Sequence, residues 1–339
     1  MSQPGSLRRL NPVAARILGS RAALAAARAW RRRRTAVLCY HRIHAPTPYD
    51  APTMVVSPAE FQAQLAFLIQ HCEIVRARDA VRPGDGPRVA ITFDDGYREL
   101  LETALPALAE VGAPSTVFCC SAVVAGGSLW WDQLEAAVRA APPGEVEVPV
   151  GGRDLKLELE GEESRARAHR ALFGACATER RPETAAQVAI AALGRVDPPN
   201  GLYLRASDLE VVAELGAEVG SHGRTHARLT ALSDGAVAAE LADSRTELEE
   251  AVGAPVDTLA YPYGNRASVG QRVFRAAAEA GYEAAFTGRT AAVRPGASPM
   301  SLPRVPVHSG DWPHRFAGKS IGLYPAAYAA AARLVRVEV

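Results

Sequence analysis

Two adjacent carboxylates, Asp94 and Asp95, end the apolar run Val89-Ala90-Ile91-Thr92-Phe93. Such a run reads as a buried strand. In parallel α/β folds the C-terminal ends of the strands are where sites are built. Two acids there are costly to ionise unless something positive is near. One of them can cap the next helix, and Asp-Asp-Gly also occurs in plain turns. Two in succession leave one free for another task. The second signal is His222-Gly-Arg-Thr-His226. If the segment is a helical turn, the two histidines share a face, with about 5–6 Å between Cβ atoms. Both imidazoles can then reach one cation. Alone, this spacing is more often a surface feature. It follows the apolar stretch Glu218-Val219-Gly220, so it should open at the same end of a sheet as the acids. One carboxylate and two neutral imidazoles leave an open position on Zn²⁺, the arrangement of a catalytic site and not of a closed structural one.

Two further strand ends carry polar groups. Leu259-Ala260-Tyr261-Pro262-Tyr263-Gly264 ends in a turn that can point backbone N–H groups inward, or is simply a strand-to-helix turn. Leu302-Pro303-Arg304-Val305-Pro306-Val307-His308 places an Arg and a His within reach of the same mouth, although His308 by itself reads equally as a surface residue. Trp130, Trp131 and Asp132 can stack on and hydrogen-bond a sugar ring, or can pack in a core; Trp312 is open to the same two readings.

In their order, T-F-D-D-G-Y, S-H-x-x-T-H, A-Y-P-Y-G and the late strand resemble the polysaccharide deacetylase family, the NodB-homology or carbohydrate esterase family 4 domain, over about Ala36 to His308. The resemblance implies a distorted (β/α) barrel with fewer than eight regular strands. It implies a water, activated by a cation, that attacks an N-acetyl carbonyl. It assigns Asp94 as base, Asp95, His222 and His226 as metal ligands, the backbone N–H of Tyr263 as an oxyanion donor and His308 as general acid. Such roles agree with general chemistry: a cation acidifies water and polarises a carbonyl, a carboxylate takes the proton, and an N–H group steadies the oxyanion. Tyr97, Trp131 and His41 are the expected substrate contacts. Two departures stand out. The family's Arg before the P-Y-G turn, which contacts the catalytic Asp, is replaced by Ala260, and we expect Arg304 to supply that charge. The late strand reads V-P-V-H in place of the common L-x-H, so His41, just after the first strand, competes with His308 as the acid. The ligand set suits Zn²⁺ and also Co²⁺, Ni²⁺ or Mn²⁺. The expected reaction is N-deacetylation of an acetylated glycan or polysaccharide precursor. An O-acetyl esterase or a non-sugar amidase is the enzymatic alternative, and a glycan-binding protein without catalysis is the alternative of another class.

These residues need a scaffold that alternates buried strands with helices. Strands are predicted at 36–40, 89–93, 115–120, 218–222, 257–261, 282–287 and 302–307. Helices are predicted after Ser57-Pro58, where Ser caps and Pro takes the first turn, up to Leu108, from Ser207, over 240–252 and over 269–280. That alternation is the mark of a parallel α/β architecture. The stretch from about 130 to 205 breaks the rhythm and reads as an insertion on the barrel rim. The organisation is then a basic segment over 1–34, a deacetylase-like domain over 35–315 and an Ala-rich C-terminal helix over 316–339.

A hydrophobic share of 48% against 22% charged residues fits a globular protein with a sizeable core. The charge is uneven, since residues 1–49 contain no Asp or Glu but many Arg. The stretch from Pro12 to Arg34 reads as a basic amphipathic helix, either solvated or lying on an anionic membrane surface. There is no aromatic-interleaved basic module for nucleic acid. With no unbroken apolar span and no secretory signal, a cytoplasmic location is expected, with contact at the inner membrane face through residues 1–34. The five cysteines have no C-x-x-C spacing and read as free thiols.

Overall fold

The computed structural model describes residues 34–320, apart from 52, 53, 85 and 313. The basic segment expected over 1–34 lies outside the described residues except for Arg34. Of the expected C-terminal helix, the described part is His314–Ser320, and 321–339 lie outside.

Among the described residues seven parallel strands close into a barrel: β1 (Thr35–Tyr40), β2 (Arg88–Phe93), β3 (Ser115–Cys119), β4 (Ala217–Ser221), β5 (Thr258–Ala260), β6 (Ala284–Thr290) and β7 (Leu302–Pro306). Each pairs with its successor in the chain, and β1 closes the ring by pairing with both β2 and β7, with Leu38 opposite Ile91 on one side and Val305 on the other. A short strand, Glu73–Ile74, adds to the edge of β2. This is the barrel that the family resemblance implies.

The strands are apolar on both faces because both are covered. Ala36, Leu38 and Tyr40 of β1 face the outer helices. Val37, Phe118, Ala260 and Phe286 fill the barrel interior, where the Phe118 and Phe286 rings meet at 5.7 Å. Burying each such aromatic side chain contributes about 1.5–3 kcal/mol. Outside, α1 (Pro58–His71) starts as its sequence dictates: Ser57 Oγ accepts the Glu60 N–H at 3.2 Å, and Pro58 occupies the first turn. The predicted helix at 240–252 begins earlier, at Asp234, because Ser233 caps it.

The interruption between β3 and β4 has its own core. It comprises α2 (Trp130–Ala140), a hairpin of Glu145–Val150 with Arg153–Glu158, α3 (Glu162–Thr178) and α4 (Pro182–Leu193). The hairpin turns at Gly151-Gly152, both at positive φ, as a two-residue hairpin turn demands. Leu134, Val138, Val148, Leu172 and Ile190 pack into a cluster separate from the barrel core. The insertion remains tied to the barrel rim, since the Tyr97 and Tyr203 rings stack at 5.2 Å.

Candidate metal centre

The pairing of the strands continues past their ends and gathers the polar residues at one mouth of the barrel. Asp94 N–H donates to Tyr40 O, His222 N–H to Cys119 O, Tyr261 N–H to Phe286 O and Val307 N–H to Cys39 O, at 2.7–2.9 Å. Asp94, Asp95, His222 and His226 are all nearly inaccessible to solvent.

The two acids have different partners. Arg304, on β7, holds Asp94 in a bidentate pair, with Nη1 donating to Oδ1 at 2.6 Å and Nη2 to Oδ2 at 2.7 Å. Ala260 and Arg304 both face the barrel interior, where the guanidinium lies 5.6 Å from the Phe118 ring. The small side chain at 260 leaves that space to an arginine arriving from another strand. Burial opposes ionisation of Asp94, but Arg304 and then His222 outweigh it and hold the carboxyl well below the usual range. Asp95 lacks such a partner. Burial, and then the neighbouring Asp94 charge, push its carboxyl well up, and its Oδ1 is buried without a hydrogen bond.

That oxygen faces both histidines. His222 Nε2 is 3.5 Å and His226 Nε2 3.6 Å from Asp95 Oδ1. His222 Nδ1 lies 2.6 Å from the Ala260 carbonyl, which can only accept, so Nδ1 carries the proton and the Nε2 lone pair points at Asp95. Burial lowers the pKa of both rings, most of all at His226, which favours the neutral, ligating form. Two imidazole lone pairs around an unpartnered carboxylate oxygen repel one another, and a cation removes the repulsion. The donor set therefore fits a divalent metal.

The two histidines do not sit on a helical turn, contrary to the spacing argument. Residues 222–226 form a loop, and His226 has φ +59°. The loop is tied down by a residue that the motif reading missed. Glu240, buried on the helix Asp234–Val252, accepts the Thr225 N–H at 2.6 Å and the Thr225 hydroxyl at 3.0 Å. Its only sequence signal was a Glu among the apolar positions of a helix. The two imidazoles still converge, with ring centroids 4.8 Å apart. Among the described residues the non-glycine residues at positive φ are Asp95, His226 and Tyr263, all in this site, and strain of that kind concentrates where geometry is imposed for function.

Tyr263 is the middle of a three-residue turn closed by Gly264 N–H donating to Pro262 O at 2.7 Å. Gly264 is required there, because a Cβ would meet the Gly288 nitrogen at 2.2 Å. The Tyr263 ring packs on His226 at 4.8 Å, and its hydroxyl accepts from Trp130 Nε1 at 3.1 Å. Trp131 stands edge-on to His226 at 4.8 Å and donates to the Tyr97 hydroxyl at 2.8 Å. The insertion thus covers one side of the centre with both tryptophans. Tyr97, expected as a substrate contact, is buried, and its hydroxyl donates to Asp132 Oδ2 at 2.9 Å, where Tyr203 also donates. Trp312 lies elsewhere, packed on Phe67 and Phe316.

His41 is beside Asp94, with Nε2 4.0 Å from Asp94 Oδ2. Burial pushes its pKa down to about 4 despite the Asp94 charge. His308 is half-buried, and its backbone N–H donates to Asp311 Oδ2 at 2.7 Å. Cys39, His41 and Asp94 form a second cluster of potential ligands. It suits a metal less well: Asp94 is committed to Arg304, and burial pushes the Cys39 thiol well up, away from the thiolate that would ligate. All five cysteines are free.

The sequence pattern of the family described as "Polysaccharide deacetylase" matches residues 82–143 and 184–285. No curated protein matches the sequence. Among solved structures the fold is similar to that of the Streptococcus pyogenes deacetylase PplD in complex with acetate (15% identity, 85% of this chain and 98% of that one, TM-score 0.58). It is also similar to IcaB from Ammonifex degensii (20% identity, 85% and 97%, TM-score 0.53). A polysaccharide deacetylase from Bacillus cereus is a third (19% identity, 85% and 69%, TM-score 0.54). The matched segments contain Asp94, Asp95, His222, His226 and Tyr263, and skip residues 144–183 of the insertion. With its motifs in family order on a closed parallel barrel, the chain belongs to the polysaccharide deacetylase family.

Proposed function

We propose that the protein hydrolyses the N-acetyl group of an acetylated glycan, with a divalent cation, Zn²⁺ first among the choices, held by Asp95, His222 and His226. The observation that carries this reading is the division of labour between neighbouring acids. Asp94 is locked by Arg304, and Asp95 faces two neutral imidazoles. A glycan-binding module has no need of a base beside a metal site.

When bound, the cation supplies Lewis-acid polarisation of the acetyl carbonyl and acidifies water, which suits a base as weak as Asp94. The residues of the chain do the rest. Asp94, kept ionised and oriented by Arg304, takes the proton of the hydrolytic water at Oδ2, the oxygen that faces His41 and His222. The backbone N–H of Tyr263, fixed by its strained turn, donates to the oxyanion that develops on the acetyl group. His41 or His308 returns a proton to the leaving amine. Trp131 limits access of bulk water beside His226.

Acetate release from N-acetylglucosamine oligomers, with and without chelator and with Zn²⁺, Co²⁺, Ni²⁺ or Mn²⁺ restored, tests the proposal. Loss of activity with chelator and recovery with metal is expected. Release from O-acetyl xylan or a cyclic amide alone would favour the esterase or amidase reading. Sugar binding without any hydrolysis would favour a binding protein. Among the described residues no helix is long and apolar enough to cross a membrane. The proposed membrane contact rests on residues 1–34 alone.

A further inference from the structure

The connection from β6 to β7 differs from the others of the barrel. Among the described residues each other strand-to-strand connection includes an α-helix, whereas 291–301 holds only a 3₁₀ turn, Pro299–Ser301. A cleft of about 750 Å³ opens along this uncovered stretch. Its walls are the end of β6 from Gly288 to Thr290, the connection itself, and Asn265 and Arg266 from the loop after β5.

Three arginines line the cleft, Arg266, Arg289 and Arg294, and no carboxylate does. All three are exposed. Among the described residues none of their guanidinium groups has a hydrogen-bond or ion-pair partner. Arginines elsewhere in the chain are matched: Arg42 with Glu99, Arg224 with Glu247 and Arg245 with Glu249. Arg34 adds to the positive field. The chain enters the barrel here, since Thr35 N–H donates to Val293 O at 3.1 Å, and burial, then the Arg294 charge, lower the Arg34 pKa. Like charges gathered without a counter-charge repel, and an anion removes the repulsion.

The remaining polar groups of the lining can donate too. Asn265 Oδ1 accepts the Ala267 and Ser268 N–H groups at 2.9 and 3.1 Å, which leaves its amide NH₂ for the cleft. Thr290 and Ser301 bring hydroxyls. A carboxylate or a phosphodiester would balance only one guanidinium. A terminal phosphate carries about two charges and a diphosphate more, and their oxygens accept from several guanidinium forks at once. The lining has no aromatic side chain on which a nucleobase could stack.

We propose that this cleft is a binding site for a phosphate monoester or diphosphate group, carried by a soluble compound or by a lipid head group. Full-length, metal-loaded protein is titrated with inorganic pyrophosphate in a calorimeter, and is sedimented with phosphatidylcholine vesicles with and without phosphatidic acid, all at one ionic strength. Arg289→Gln/Arg294→Gln removes two charges from the cleft. Arg153→Gln/Arg275→Gln removes two exposed charges from elsewhere. Pyrophosphate also coordinates cations, but that contribution is common to the three proteins. Its affinity should fall about tenfold in the cleft variant and by less than about twofold in the control. A parallel loss of binding to phosphatidic acid vesicles would identify a lipid head group as a source of the phosphate; unchanged vesicle binding would identify a soluble one. Loss of vesicle binding alone would assign the cleft to lipid. The site would be overturned if the wild type bound neither probe, if the cleft variant bound both as the wild type does, or if the control lost as much as the cleft variant.

Discussion

Arg304→Met would remove both short hydrogen bonds from Asp94 and leave a carboxylate whose side chain is only 4% exposed. A hydrogen bond to a charged group contributes about 1.5–3 kcal/mol, so two amount to roughly 3–6. The measured cost of orphaning one partner of a buried pair, about 3–5 kcal/mol, agrees. The neighbours offer no replacement charge, because burial disfavours the protonated form of both His41 and His222. Asp94→Asn strands Arg304, whose side chain is likewise 4% exposed, at a similar cost. With both charges gone the double variant should lie within about 2 kcal/mol of the wild type. The coupling energy, two single costs of about 3 or more less at most about 2, is then at least about 4 kcal/mol. Urea unfolding of chelator-treated protein at pH 7, followed by tryptophan fluorescence across the four proteins of the cycle, measures it. Additive single effects would mean that Arg304 does not carry the charge missing at Ala260, and the account of Asp94 would fail with it.

Other consequences follow from the same geometry. Glu240→Ala frees Thr225 and the left-handed backbone of His226, and should weaken Zn²⁺ binding about 10–100-fold; Glu240→Gln keeps an acceptor and should restore most of it, as read by competition with a chromophoric chelator. Of His41→Ala and His308→Ala, the variant lacking the general acid should lower kcat by about 10²–10⁴ and the other by far less; equal small losses would exclude both. Burial raises the Asp132 carboxyl to about 6, although Tyr203 and Tyr97 donate to it. The folded protein therefore keeps this proton to higher pH than the unfolded chain, and the contribution to stability is complete below about pH 4 and lost as pH rises through 6. Relative to Asp132→Asn, the wild type should lose about 3 kcal/mol between pH 4 and 7 in urea titrations; a flat difference would contradict the assignment.

Short-range pattern determined much of this protein. Apolar runs ending in Asp-Asp-Gly, Ser-His and Tyr-Pro-Tyr-Gly mark strands whose ends must share one face, because parallel strands joined by right-handed crossovers all point the same way. Ser57-Pro58 set its helix start, and the break in rhythm after residue 130 marked the insertion. Local pattern misled at His222–His226, because the loop conformation depends on Glu240, a residue 14 positions beyond His226 whose one mark in the sequence is to be a Glu among the apolar positions of a helix. Tertiary structure alone decided which acid is locked and which is free: Arg304 is 210 residues from Asp94 in sequence and adjacent only because β7 closes the barrel onto β1. It decided the burial of Tyr97 behind Trp131 as well, and it brought Arg266 to the same cleft as Arg289 and Arg294. Those outcomes come from contacts between distant segments, and a linear pattern records only the propensities of each.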